Sequence, residues 1–132
     1  MEYCISIGSN WERERNMALA RQRLLELFPD IRFSTEEETS PVAMRRTAPF
    51  SNQVALFHSS LTPDEVVACL KRIEQVAGRC EEEKQREIVR LDLDLLLTDR
   101  RVLRPDDLQR DYLQRELQQL YHHSPTIFHY SS

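Results

Sequence analysis

Hydrophobic positions along the chain switch between two periods. Tyr3 to Ile7 alternates in part and stops at Gly8-Ser9-Asn10, which predicts a short strand ending in a turn. From about Glu12 to Phe28, Met17, Ala20, Leu24, Leu27 and Phe28 recur at helical spacing, with Arg and Glu on the other face. Ser9 or Asn10 is placed to cap that helix, and Pro29-Asp30 ends it. Ile31 to about Glu38 resumes as a strand. Thr39 to Pro49 carries two prolines and no period, so it reads as a loop. Ser51 to Ser59 is a further strand, with Val54, Leu56 and His58 on one face and Gln53, Ala55 and Phe57 on the other. Thr62-Pro63-Asp64-Glu65 is a capping box with proline at the first helical position. Val66, Leu70, Ile73 and Ala77 then form an amphipathic stripe, and Gly78 stands where a helix-ending glycine belongs. Arg79 to Glu87 is a charged connector, and Ile88 to Leu97 is a strand. After a turn or hairpin end, Pro105-Asp106-Asp107 opens a last helix, with Leu108, Tyr112, Leu117 and Leu120 along one side. Residues 122–132 read as an irregular tail.

The order is β-α-β-β-α-β with an added helix. That is the α+β, ferredoxin-like split βαβ plan: an antiparallel sheet with two helices on one face. The 132 residues suit a single domain, and no internal repeat breaks it. In this plan the first and last strands of the motif can be neighbours, which brings Gly8-Ser9-Asn10 within reach of residues 92 and 94.

Composition narrows the chemistry. Two glycines, Gly8 and Gly78, exclude a glycine-rich phosphate loop of the Walker or Rossmann kind. A net charge of −4 argues against duplex nucleic acid as a partner. No apolar run is long enough to span a membrane, and Met1-Glu2-Tyr3 lacks the basic start of a signal peptide. Cys4, Cys69 and Cys80 form neither a disulfide framework nor a zinc pattern, which suits a reducing cytoplasm.

The unusual stretch is Arg90-Leu91-Asp92-Leu93-Asp94-Leu95. On a strand, Asp92 and Asp94 point to one face and the leucines to the other. Carboxylates are depleted in strands and need compensation when buried. Mg²⁺ meets that need, since it often rests on one or two carboxylates plus substrate phosphates. Neutralisation by nearby arginines, or a strand face that is simply wet, are the plainer alternatives.

Six pieces in order resemble one family. They are Ile5-Ser6-Ile7-Gly8-Ser9-Asn10, Glu38-Thr39-Ser40-Pro41-Val42, Phe50-Ser51-Asn52-Gln53-Val54, Leu61-Thr62-Pro63-Asp64-Glu65, Arg72-Ile73-Glu74 with Gly78-Arg79, and Leu91-Asp92-Leu93-Asp94-Leu95. Over roughly the first hundred residues the chain is similar to 6-hydroxymethyl-7,8-dihydropterin pyrophosphokinase, an enzyme of folate synthesis. The resemblance implies transfer of pyrophosphate from ATP to the pterin hydroxymethyl, with two Mg²⁺ ions held by Asp92 and Asp94. It implies a pterin pocket of Gly8, Thr39, Val42, Phe50 and Asn52, and places Glu74, Arg79 and Leu95 on the nucleotide side. The implied partners are these small molecules, and the implied assembly is a monomer or weak homodimer.

The chain also departs from that pattern. Where the family has R-W-G-P-R-[TS] before its aspartates, Gln85-Arg86-Glu87-Ile88-Val89-Arg90 stands here, with Arg90 displaced by one residue. Glu81-Glu82-Glu83 lies where basic residues are usual. The family's P-H motif is missing around Gln109-Arg110-Asp111, and the chain reads as a shortened member. Two functions follow as expectations: a pyrophosphokinase, or a catalytically degraded relative that binds without turnover. Cations that discriminate between them are Arg79, Lys84, Arg86 and Arg110, if they converge on the aspartates.

Overall fold

In the computed structural model, residues 1–39, 49–99, 101–102 and 111–121 are described. Strand β1 (Glu2–Ser9) is followed by helix α1 (Arg13–Leu27), then by two short strands, β2 (Arg32–Phe33) and β3 (Glu37–Thr39). β4 (Phe50–His58), helix α2 (Pro63–Val76) and a 3₁₀ turn over Glu81–Arg86 lead into β5 (Asp92–Thr98). β6 (Arg101–Val102) and helix α3 (Asp111–Tyr121) complete the described elements.

The sheet runs β2-β4-β1-β5-β6, with β3 also paired to β4, and the described pairings are antiparallel. The first strand is central, flanked by the third and last strands of the motif. This is the ferredoxin-like arrangement. Residues opposite one another across antiparallel strands share a face. Tyr3, Ile5 and Ile7 therefore meet Ala55, Phe57, Leu93 and Leu95 on one side, and Met17, Ala20, Leu24, Val66, Leu70 and Ile73 close the core from α1 and α2.

α2 forms as its sequence requires. Thr62 accepts the Glu65 amide at 3.2 Å while Glu65 accepts the Thr62 amide at 2.9 Å. At the other end Gly78 takes φ 91°, with Gly78 N–H donating to Gln75 and Arg79 N–H to Glu74. That is a Schellman stop, for which glycine is the residue without steric penalty.

Several expectations need correction. Neither Ser9 nor Asn10 caps α1; the N-cap is Glu12 in a left-handed conformation with no side-chain cap. Leu27 is 47% exposed and off the stripe, whereas Phe28 turns inward and stacks on Phe57 at 3.9 Å. The strand expected from Ile31 to Glu38 is broken at Ser34. There the Val54 amide donates to Ser34 Oγ, in place of a main-chain oxygen, while Ser34 N–H donates to Val54 O. β5 starts at Asp92 instead of Ile88. The last helix is described from Asp111, so the Pro105-Asp106-Asp107 start and Leu108 lie outside the described residues, as does the 122–132 tail. α3 contributes buried Leu117 and Leu120 and approaches β4. Among the described residues no helix is long and apolar enough to cross a membrane.

Candidate active site on the open face of the sheet

Gly8 lies near the end of the central strand β1, on the face opposite α1 and α2. It is opposite Asn52 on β4 and opposite Asp92 on β5. With strands about 4.8 Å apart, Asn52 and Asp92 stand roughly 10 Å from each other across a glycine. Two residues along, Ser6 lies between Val54 and Asp94. Gly8, Ser6, Asp92 and Asp94 are all partly exposed, so this floor is open.

A Cβ built on Gly8 would meet Asn52 Oδ1 at 3.5 Å and Ser51 O at 3.8 Å, both ordinary contacts. The protein's own packing therefore tolerates a methyl there, but a flat molecule lying between Asn52 and Asp92 would strike it. Gly8→Ala is expected to gain about 0.4–1 kcal/mol of stability, through the unfolded chain. It is expected to weaken binding of a planar ligand by about tenfold or more, as an overpacked contact does. Thermal melts beside a ligand titration check both; a marked loss of stability would instead make Gly8 a folding residue.

Asp92 is held by Arg79, whose Nη1 donates to Asp92 Oδ1 at 2.9 Å. The same nitrogen is 3.0 Å from Glu74 Oε2. Burial opposes the charge on Arg79. The hydrogen bond to Asp92 and the fields of Glu74, Asp92 and Asp94 outweigh it and raise the pKa. Glu74 is itself buried at 3% exposure. It takes the Leu93 amide on Oε2 at 2.8 Å and Lys71 Nζ on Oε1 at 3.3 Å. The Leu93 N–H points away from β1, so this buried carboxylate supplies the acceptor that a further strand would otherwise give.

The turn that follows the floor is tied to the segment entering β5. Asn10 donates from Nδ2 to Glu87 O at 2.8 Å and accepts Val89 N–H on Oδ1 at 2.6 Å. Its own amide donates to Val89 O at 2.9 Å. One side chain thus copies a strand's hydrogen-bonding edge, which is why residues 88–91 are anchored without being a strand. Glu87 sits at φ 57°, an uncommon conformation for a residue with a side chain. Asn10→Ala leaves the Val89 donor and the Glu87 acceptor without this partner and is expected to cost about 2–4 kcal/mol. Urea unfolding checks it, and a change under about 0.5 kcal/mol, typical of an indifferent surface site, would show that the clamp is dispensable.

At the β4 end, Asn52 is buried and donates to Thr39 Oγ1 at 2.6 Å, and Phe50 pairs with Thr39 on the strand edge. Glu37 is the strand partner of Asn52. It is held by Arg115 of α3 at 2.7 Å. Beside it lies Glu116, 1% exposed, accepting from Ser34 Oγ at 3.1 Å. Glu116 Oε2 has no hydrogen-bond donor among the described residues. Burial, chiefly, and the neighbouring Glu37 push the Glu116 carboxyl up to about 8.

The remaining expected residues fall into place unevenly. Leu95 is 6% exposed in the helix-side core, on the opposite face to Asp94, so its side chain belongs to packing and a nucleotide would meet at most its backbone. Val42, Arg110 and the side chain of Lys84 lie outside the described residues. Arg79 reaches Asp92, whereas Arg90 grips Glu83 with three bonds of 2.9–3.2 Å. Arg90's hydrogen bond, opposed in part by burial, lowers the Glu83 pKa. Arg86 is exposed beside the same glutamate. Asn10, Glu116 and the Glu74–Leu93 bond escape sequence reasoning, since their partners are 19 to 82 residues away. An open groove of about 650 Å³ between α1 and β3 holds Arg13–Glu38 and Arg21–Glu36 ion pairs and lies at the sheet edge away from β5.

Against this geometry, residues 4–122 match the family of 7,8-dihydro-6-hydroxymethylpterin-pyrophosphokinase (HPPK). The chain belongs to the HPPK family. The match runs past β5 and through α3, further than the roughly one hundred residues of motif resemblance. No curated protein matches the sequence. Two solved structures are similar in outline. The C-terminal domain of the MgtC protein from Mycobacterium tuberculosis shares 10% identity over 78% of this chain and 93% of that one, with a TM-score of 0.43. The de novo designed protein LFR1 1 with ferredoxin fold shares 11% over 75% and 88%, with a TM-score of 0.34. Neither likeness bears on function.

Mg²⁺ suits the donors present, because Asp92 and Asp94 offer hard oxygens on one open face. Among the described residues no three His, Cys, Asp or Glu side chains are grouped to hold an ion.

Proposed function

We propose that this HPPK-family chain carries out Mg²⁺-dependent transfer of pyrophosphate from ATP to 6-hydroxymethyl-7,8-dihydropterin. The observation that carries the reading is the bare glycine between a buried amide and an aspartate pair. Asn52 presents an amide, able to donate and accept, to the polar edge of a pterin. Gly8 lets the flat ring lie against the backbone, and Phe50 and Thr39 border the same end. The roughly 10 Å from Asn52 to Asp92 matches a bicyclic ring with its hydroxymethyl directed at the carboxylates.

In the reaction the hydroxymethyl oxygen attacks the β-phosphorus of ATP and the α–β bridging bond breaks. AMP leaves and the hydroxyl proton is released. Mg²⁺, when bound, supplies charge neutralisation and alignment of the phosphates for in-line displacement. Asp92 and Asp94 hold it, and Glu74 fixes the strand that bears them through the Leu93 amide. Asn10 fixes the segment leading into that strand. The whole chain, as one domain, would act on small molecules in the cytoplasm.

A second reading, a relative that binds without turnover, is favoured by one observation: Arg90 is committed to Glu83 and turned from the aspartates. AMP production from Mg-ATP with and without the pterin decides between them. Pterin-dependent AMP supports the enzyme; a folded protein that binds pterin and makes no AMP supports the second reading.

A further inference from the structure

Arg79 occupies one of the two carboxylate oxygens that Asp92 would offer a metal ion. Its guanidinium donates to Asp92 Oδ1 at 2.9 Å. A divalent cation bound to that oxygen would stand against a guanidinium at hydrogen-bond distance, and the two positive charges would repel across a partly dry site. That repulsion favours release of one of them. The surroundings show which parts are fixed. Glu74 keeps the Leu93 amide and Lys71 as partners if Arg79 departs. Asp92 is fixed by its place on β5 opposite Gly8. Arg79, by contrast, follows directly on Gly78, whose φ of 91° ends α2, and its side chain is 30% exposed. Besides the Glu74 carboxylate at 3.0 Å, its other contact is a long bond to Leu91 O at 3.4 Å.

We propose that Arg79 is the counter-ion of the metal-free aspartate pair and is displaced when a divalent cation binds at Asp92. Cation binding and release of the α2 end-segment are then one event. This rests on the metal reading of Asp92 and Asp94 given above. Its consequence is a cation site held closed until a stronger competitor arrives. A free ion must displace an arginine, while an ion carried on a triphosphate brings oxygens that can receive the displaced guanidinium.

The test compares the full chain with Arg79→Gln, which removes the charge and keeps an amide. Mn²⁺ binding is followed by water-proton relaxation, without nucleotide and with α,β-methylene-ATP, whose α–β bridge cannot be cleaved. Circular dichroism confirms that the variant is folded, and Arg79→Lys provides a second, charge-retaining variant. Nucleotide-free Mn²⁺ affinity is expected to rise about tenfold in Arg79→Gln and to change less than threefold in Arg79→Lys. In the native protein, a side-chain ¹⁵N resonance assigned to Arg79 is expected to lose its hydrogen-bonded shift as Mg²⁺ and the analogue are added. Unchanged or weaker Mn²⁺ affinity in Arg79→Gln, with native binding intact in the presence of the analogue, overturns the displacement and leaves the metal site standing. Absence of Mn²⁺ binding in the native protein even with the analogue overturns both.

Discussion

Asp92→Ala is expected to lower kcat/KM for pterin-dependent AMP formation by about a thousandfold or more. The size follows from what the residue is asked to do. A carboxylate that holds a phosphate-bridging ion contributes several kcal/mol of transition-state stabilisation, and each 1.36 kcal/mol is about tenfold in rate. The fold should survive, because Arg79 retains Glu74 and Asp92 is a partly exposed member of the pair, 39% accessible in its side chain. Such pairs are worth about 0–1 kcal/mol. Asp92→Asn separates charge from shape: it should lose nearly as much activity while keeping a hydrogen bond to Arg79. Steady-state kinetics on both variants, beside urea unfolding, provides the check. Equal activity in native and variant proteins would remove Asp92 from the chemistry.

The second large effect is on stability and is read along the pH axis. Glu116 titrates near 8 in the folded protein, against an ordinary value of 4.5, because burial and Glu37 disfavour its charge. The folded chain therefore keeps a proton that the unfolded chain has released. Between about pH 4.5 and 8 stability falls as pH rises, by at most about 1.36 kcal/mol per unit, and levels off above 8. Below 4.5 both forms are protonated and the penalty is absent. Glu116→Gln keeps the shape and deletes the ionisation. It is expected to match the native protein at pH 5 and to be about 1–3 kcal/mol more stable at pH 9, since a buried carboxylate with a donor on only one oxygen is costly to charge. Urea unfolding at pH 5, 7 and 9 tests this, with a probe on α3 to show whether the helix undocks before the sheet melts. Parallel pH profiles would mean that the carboxyl ionises freely where it stands.

Much of this was readable in the chain because the signals were local. The capping box at Thr62 and the glycine after Ala77 specify both ends of α2 within a few residues. The strict alternation of Leu91, Leu93 and Leu95 with Asp92 and Asp94 fixes which face is dry. Other features depend on distant partners. Ser34 breaks an expected strand because its hydroxyl substitutes for a main-chain acceptor opposite Val54, and a serine in a polar stretch carries no mark of that. Asn10 looks like a helix cap, as Asn after Gly-Ser often would, but a segment nearly eighty residues later claims its amide. Leu95 carried a nucleotide-side expectation from motif alignment, while strand alternation sends its side chain to the core. Of the cations, sequence spacing could nominate Arg79 but could not show that Asp92 and Glu74 share it.

The central position of β1 governs how the protein comes into being. Residues 2–9 are synthesised before both of their hydrogen-bonding neighbours, which begin at residues 50 and 92. At about 5–20 residues per second, the central strand waits roughly 5–20 s for its last partner. During that interval Tyr3, Ile5 and Ile7 have one open edge and an incomplete core, the circumstances in which chaperones are recruited and strands pair wrongly. Gly8, Asn52 and Asp92 come together only at the end of that wait. A nascent chain stopped before β5 thus has the Gly8–Asn52 pair without the aspartates, and the site is completed late.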